Sequence, residues 1–346
     1  MIMGKPISFR VALCVLIGVS LLFSDKAYSE EVLRRSNVEI ELGAKTWISQ
    51  GNTKWSHNAS TLDPRFGNPT SELDYKDVWS NVAEIDGKIT LRNGMFVRGQ
   101  LGYGAISDGK LIDDDYVSAA GATAFGTTVS GPHRFSRTES DIDGSHLWYL
   151  NTDLGFRLLS FSGGRGSVKG FLGFQYWKEK YVAKGVKQLE CTALAPSPIQ
   201  CAPAGTVGFV GQTVITNEVE WSSIRLGLEG GYQFTRRFSL DANAAFIPYT
   251  SLQNRDTHNL RLTGPNALQD PSFTMSGTGI GANFEVNASY MIVKQLFFDL
   301  GYRYWWLQVK DGTWKNHPVN FPSETANLNE FQSIRHGVTL GLSYKF

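Results

Sequence analysis

His336-Gly-Val-Thr-Leu-Gly-Leu-Ser-Tyr-Lys-Phe346 closes the chain. In an extended strand successive side chains point to opposite faces. Val338, Leu340, Leu342, Tyr344 and Phe346 therefore share one face, and Thr339, Gly341 and Ser343 share the other. Phe297 to Trp306 repeats the pattern, with Phe298, Leu300, Tyr302, Tyr304 and Trp306 against Asp299 and Arg303. Apolar-out, polar-in strands with aromatic residues at their ends are what a membrane β-barrel requires. An ordinary strand of a soluble β-sandwich is the competing reading, so the rest of the chain must decide.

The beginning favours export. Lys5 and Arg10 precede an apolar or small-residue run from Val11 to Phe23, and Ala27-Tyr28-Ser29 supplies small residues for a signal peptidase. The run is shorter than the roughly 20 apolar residues of a membrane-spanning helix. The expected organisation is a cleaved signal peptide over 1–29 and a single outer-membrane β-barrel domain over 30–346. The formal net charge is +1 and no basic stripe is present, which argues against a nucleic-acid partner. Cys191 and Cys201 are close neighbours in a Pro- and Ala-rich stretch without flanking His or carboxylates; in an oxidising envelope they read as a loop disulfide, with no metal expected.

Ten amphipathic segments can be marked, near 38–48, 76–92, 95–106, 147–160, 167–183, 215–234, 237–250, 278–293, 296–310 and 332–346. Their connections alternate in length. Asn93-Gly94 has type I′ hairpin composition, and the links near 162–164, 235–236 and 294 are also short. Between them lie long connections near 49–75, 107–146, 184–214, 251–277 and 311–331. Long loops all at one end are the pattern of an all-β, closed antiparallel transmembrane barrel, with that end extracellular. Closure follows because lipid cannot satisfy an open sheet edge. Ten strands leave a lumen largely filled by side chains.

Two short segments carry candidate chemistry. Gly109-Lys-Leu-Ile-Asp-Asp-Asp-Tyr116 places Asp113 and Asp115 on one face; Asn254-Arg-Asp-Thr-His258 does the same for Asp256 and His258. Each pair is expected a few residues past the outer end of its strand, the third and the seventh, which can face one another across the ring. Asp256 would orient His258 and stabilise its charged form, His258 would take a proton from water, and Asp113 and Asp115 would share one. Parity raises an obstacle. Lipid-facing residues in the third strand are odd-numbered (Val97, Leu101, Tyr103) and in the seventh even-numbered (Phe238, Leu240), so straight continuation would point both pairs outward. A bulge or twist must intervene.

From about Val38 onward the chain resembles the omptin family of ten-stranded outer-membrane proteases. The similarity runs ungapped through Ser71-Glu-Leu-Asp-Tyr-Lys76, through 109–116, through Leu172-Gly-Phe-Gln-Tyr-Trp-Lys-Glu-Lys-Tyr-Val-Ala-Lys-Gly185 and through 238–258. The resemblance implies catalytic roles for Asp113, Asp115, Asp256 and His258, a polypeptide substrate, and lipopolysaccharide as a possible activator with Lys178 as a contact; no other cofactor is implied. Departures accompany it. Asn254 stands at an acidic specificity position, Ser49-Gln-Gly-Asn52 offers no Glu, Tyr176 replaces a Glu, and Glu220 falls where the family has an Arg. The preference for Arg and Lys at the cleavage site is therefore expected to be weak or absent. An omptin-like endopeptidase, a non-catalytic barrel serving adhesion or envelope structure, and a small passive pore are the readings carried forward; the sequence does not give the oligomeric state.

Overall fold

The computed structural model describes residues 38–127, 133–193 and 199–346; the expected signal peptide, 1–29, lies outside the described residues. Eleven strands form one antiparallel sheet: β1 Val38–Asn58, β2 Phe66–Leu91, β3 Met95–Val117, β4 Arg134–Ile142, β5 Ser145–Phe161, β6 Gly166–Cys191, β7 Val207–Gln233, β8 Phe238–His258, β9 Leu268–Val293, β10 Leu296–Pro318 and β11 Thr325–Lys345. A short helix, α1, spans Ala119–Phe125. β11 pairs with β1 and closes the ring. β4 and β5 both lie between β3 and β6, one above the other, so the eleven strands occupy ten positions. The break between them falls at Asp143-Gly144, where Gly144 takes φ +73°.

The expected strand positions stand, but the strands reach further. Most of what alternation assigned to connections at 49–75, 107–146, 184–214, 251–277 and 311–331 is continued strand, leaving turns such as 259–267 and 319–324. The apolar-out pattern stops where the lipid stops, while backbone pairing does not. β2 and β6 have 26 residues each; at about 3.3 Å per residue and a tilt near 45°, such a wall is roughly 60 Å tall, against an apolar band of about 25 Å. The short-turn end matches expectation, and the Gly94 amide donates to the Leu91 carbonyl at 2.8 Å in its hairpin.

In the lower half the faces are inverted relative to a soluble protein. Leu101, Tyr103, Leu154, Leu228, Phe246, Leu300 and Val338 are exposed, whereas Glu84, Asp153, Arg225, Glu229, Asp299 and Arg303 are buried in the lumen. A plug of Trp47, Tyr149, Trp177 and Trp305 fills mid-barrel, with ring centres 4.8–5.9 Å apart. The fully buried Arg303 lies 5.0 Å from the Trp47 ring centre, 2.7 Å from Glu84 and 3.1 Å from Glu285. Below it a polar cavity of about 330 Å³ opens among residues such as Lys88, Arg98, Glu229 and Lys345.

Candidate active site

Two bulges place the candidate residues. In lower β3 the even residues Phe96, Gln100 and Ile106 point inward. Pairing with β2 then slips around Lys76–Ser80, opposite Asp108 and Gly109, where Asp77 takes φ +51° and Gly109 φ +154°. Above the slip the odd residues face in: Leu111 and Val117 are buried, and Asp113 pairs with the buried, inward Leu73. In lower β8 Ala245 and Ile247 face the lumen; the register with β9 slips between Ile247 and Thr250, and Thr250, Leu252, Asn254 and Asp256 are inward above it. The parity obstacle is thus removed by one extra residue in each strand. Both pairs lie within strands that rise past the lipid-facing band, not beyond the strand ends as alternation had indicated.

Asp256 is completely buried, and the His258 side chain keeps 20% exposure. His258 Nε2 stands 3.6 Å from Asp256 Oδ1, too far for a hydrogen bond. Both Asp256 oxygens and His258 Nε2 are buried without a hydrogen-bond partner among the described residues. Across the cleft Ser71 Oγ donates to Asp113 Oδ1 at 3.4 Å. Tyr75 on β2 stacks on Tyr181 of β6, ring centres 4.7 Å apart, forming a floor. Asn254 donates to the Asn217 side chain and, at 3.0 Å, to the Glu218 carbonyl.

The electrostatics follow from burial. It pushes Asp256 up to about 8 and His258 down to about 3, with the charge of Arg261, and that of His57 where it is protonated, adding to the latter. The expected charge-stabilised histidine is therefore replaced by a dyad that is uncharged at rest, because desolvation outweighs a carboxylate that is itself protonated. Burial also drives Asp113 well above the ordinary carboxylate range, reinforced by Asp115, Asp256 and Asp114. Burial lifts Asp115 to about 6, opposed by its Ser71 hydrogen bond and by Arg261. Both carboxyls of the pair are thus shifted toward the neutral form.

Other expectations divide. Cys191 and Cys201 are joined as a disulfide. Lys178 is already paired with Glu220 at 2.6 Å and Glu218 at 3.1 Å, and Tyr176 donates to Glu220 at 2.9 Å, so a phosphate would compete with two carboxylates for it. His146, His317 and His336 lie in β5, β10 and β11. Alternation overlooked His57, Phe273, Trp314 and Arg261. Inward Trp47, Ser49, Gly51, Thr53 and Trp55 continue one face past residue 48, a signal by which the first strand could have been extended toward His57. Among the described residues no cluster of three or more His, Cys, Asp or Glu is arranged to hold a metal.

The model of the family described as "Protochlamydia outer membrane protein" matches residues 49–346. The chain belongs to that family. No curated protein matches it. Among solved structures it is similar to the outer membrane protease OmpT from Escherichia coli, at 16% identity and a TM-score of 0.65, covering 89% of this chain and 97% of that one. The translocator domain of autotransporter NalP from Neisseria meningitidis also matches, at 10% identity, a TM-score of 0.34 and 97% of each chain. Ail, the attachment invasion locus protein of Yersinia pestis, matches at 8% identity and a TM-score of 0.28, covering 88% of this chain and 98% of that one. The chain is an outer-membrane β-barrel, and its likeness to an omptin is one of fold.

Proposed function

We propose that this member of the Protochlamydia outer membrane protein family is an omptin-like endopeptidase whose cleft faces the cell exterior. The observation that supports it most is the double parity reversal. Two independent bulges turn Asp113 and Asp115 on one wall, and Asp256 and His258 on the other, into the same cleft, where Asp256 and His258 keep unpartnered buried polar atoms. Buried polar atoms without partners are costly to a fold that does not use them.

In this reading a water between the walls loses its proton to the Asp256–His258 dyad as its oxygen attacks the peptide carbonyl carbon. The protonated Asp113 donates to the departing amide nitrogen, the C–N bond breaks, and an acid and an amine leave. The dyad then returns its proton to Asp113. Asp115 keeps its charge and biases the shared proton toward Asp113. No Ser or Cys nucleophile takes part. Lipopolysaccharide enters as a membrane neighbour, and its phosphate could reach Lys178 only in competition with Glu218 and Glu220.

The test is cleavage of a diverse peptide library by refolded protein in lipopolysaccharide-containing vesicles, beside an Asp256→Ala, His258→Ala double variant. Cleavage by the wild type alone supports the reading. Absence of cleavage by both leaves a non-catalytic barrel as the better account.

A further inference from the structure

An aromatic arc runs from His258 around one side of the cleft. Phe273 on β9 is the direct cross-strand partner of Asp256. Its ring meets the His258 imidazole edge-on, with centres 4.9 Å apart, and stacks on Trp314 of β10 at 5.0 Å. Trp314 in turn lies parallel to His57 of β1, 4.2 Å away with a 4° interplanar angle. β11 runs between β10 and β1, and Trp314 pairs there with Ala326, whose small side chain lets the two rings meet over it. The arc is thus anchored by register at one end and by stacking along its length.

We infer that Phe273, backed by the buried Trp314 and His57, forms a subsite for an aromatic or large aliphatic side chain adjoining the scissile bond of the polypeptide substrate. This rests on the endopeptidase reading and adds a substrate class to it. Position argues for it first, because the arc begins against the imidazole that would handle the proton. The half-buried Phe273 and the partly exposed His258 are the members of the arc open to the cleft, so a side chain beside the reacting carbonyl meets them. Charge argues for it second. The arc is neutral, since burial holds His57 down to about 3. The carboxylates that alternate with the inward residues of β2 and β3 are held by cations on the outer wall: Glu72 by Lys54 at 3.1 Å, Asp74 by Lys76 at 3.3 Å, and Asp114 by Arg137 at 2.7 Å. Asn254, at the inward position before Asp256, is neutral and engaged with Asn217. Outside the four proposed catalytic residues, none of these groups offers a basic side chain a carboxylate, whereas the arc offers an apolar one stacking and desolvation.

The test uses the full barrel refolded in lipopolysaccharide-containing vesicles and peptides in which the two residues flanking the cleaved bond are varied singly among Phe, Leu, Ala, Asp and Arg. At one flanking position Phe or Leu should exceed Arg by at least about tenfold in kcat/KM, the lower range for a well-filled apolar pocket. Phe273→Ala should reduce that advantage, read as the ratio of kcat/KM for the Phe and Arg peptides whatever the overall rate, to within about threefold. Trp314→Leu supplies a second variant should Phe273→Ala fail to assemble, and the wild-type series decides if neither assembles. An Arg preference, or a Phe advantage untouched by either assembled variant, overturns the subsite and leaves the endopeptidase standing. If no peptide is cut, binding of the labelled Phe and Arg peptides to Asp256→Asn by fluorescence anisotropy separates the two ideas. Tighter Phe binding that Phe273→Ala removes keeps the subsite while the protease falls, and equal binding overturns both.

Discussion

Asp256 has no exposed surface, and its carboxyl is raised to about 8 by desolvation, while His258 falls to about 3. An ordinary histidine base with a reference value near 6.5 gives activity that levels off above about pH 7. Here the dyad holds a proton on Asp256 until the pH passes about 8, so the unprotonated pair that can accept one from water is a minority species at neutrality. The kcat/KM for a fixed peptide should therefore rise between pH 6.5 and 8.5 and level off above it; a profile flat across that range would contradict this assignment. Replacing His258 or Asp256 by Ala should lower turnover by at least about a hundredfold, the lower end of a general-base contribution, without changing the heat-modifiable migration of the folded barrel. The juxtaposition of Asp256 and His258 on one face was legible as a DxH spacing. The sign of the pKa shifts was not, because it depends on how fully the surrounding strands exclude water.

At the scale of strands, the proposed function rests on two irregularities. Gly109 sits at φ +154°, with a would-be Cβ 3.0 Å from Val78 Cγ2 and 3.2 Å from the Lys76 carbonyl, so a side chain would crowd β2 where the register slips. Deleting Asp108 should remove β3's part of the slip, leave the extra residue of β2 as an unmatched bulge, and move Asp113 and Asp115 to the outer face, since a one-residue slip exchanges the faces of a strand. The expected outcome is a folded barrel by circular dichroism with no measurable cleavage; retained activity would show that the bulge is not what aims the pair. The need for such an irregularity was readable from parity, because Val97, Leu101 and Tyr103 face lipid and Asp113 would follow them. Its position was not readable, since Asp77, Lys76 and Asp108 give no turn motif of the Asn93-Gly94 kind. The ten wall positions were legible because lipid imposes alternation on Phe298, Leu300 and Tyr302. The upper walls were not, since above the band both faces of a strand meet water or protein and the period-2 contrast fades.

For the whole molecule the plug decides what the barrel can transmit. Arg303 is fully buried among Glu84, Glu285 and the rings of Trp47, Tyr149 and Trp305. Arg303→Met would leave two carboxylates without their cation, a change that typically destabilises by about 3–5 kcal/mol. A lowered urea midpoint in vesicles, partly recovered by adding Glu84→Gln, is the expected result; an unchanged midpoint would mean that the lumen ions are solvated. A lumen filled in this way fits a cleft closed at its base better than a passive pore. The remaining question is which side of the membrane that cleft meets. Short turns, including Asn93-Gly94, crowd one end, whereas the strands rise past the apolar band at the other and carry the Asp pairs with them. Outer-membrane barrels present the short turns to the periplasm and the tall end outward. Epitope tags inserted near residue 125, at the end of α1, and near residue 320, in the turn between β10 and β11, should bind antibody on intact cells. A tag in the Asn93-Gly94 turn should bind only after the outer membrane is permeabilised. Labelling of that turn on intact cells, with the other two silent, would place the cleft in the periplasm and change the proposed substrates from polypeptides outside the cell to the cell's own.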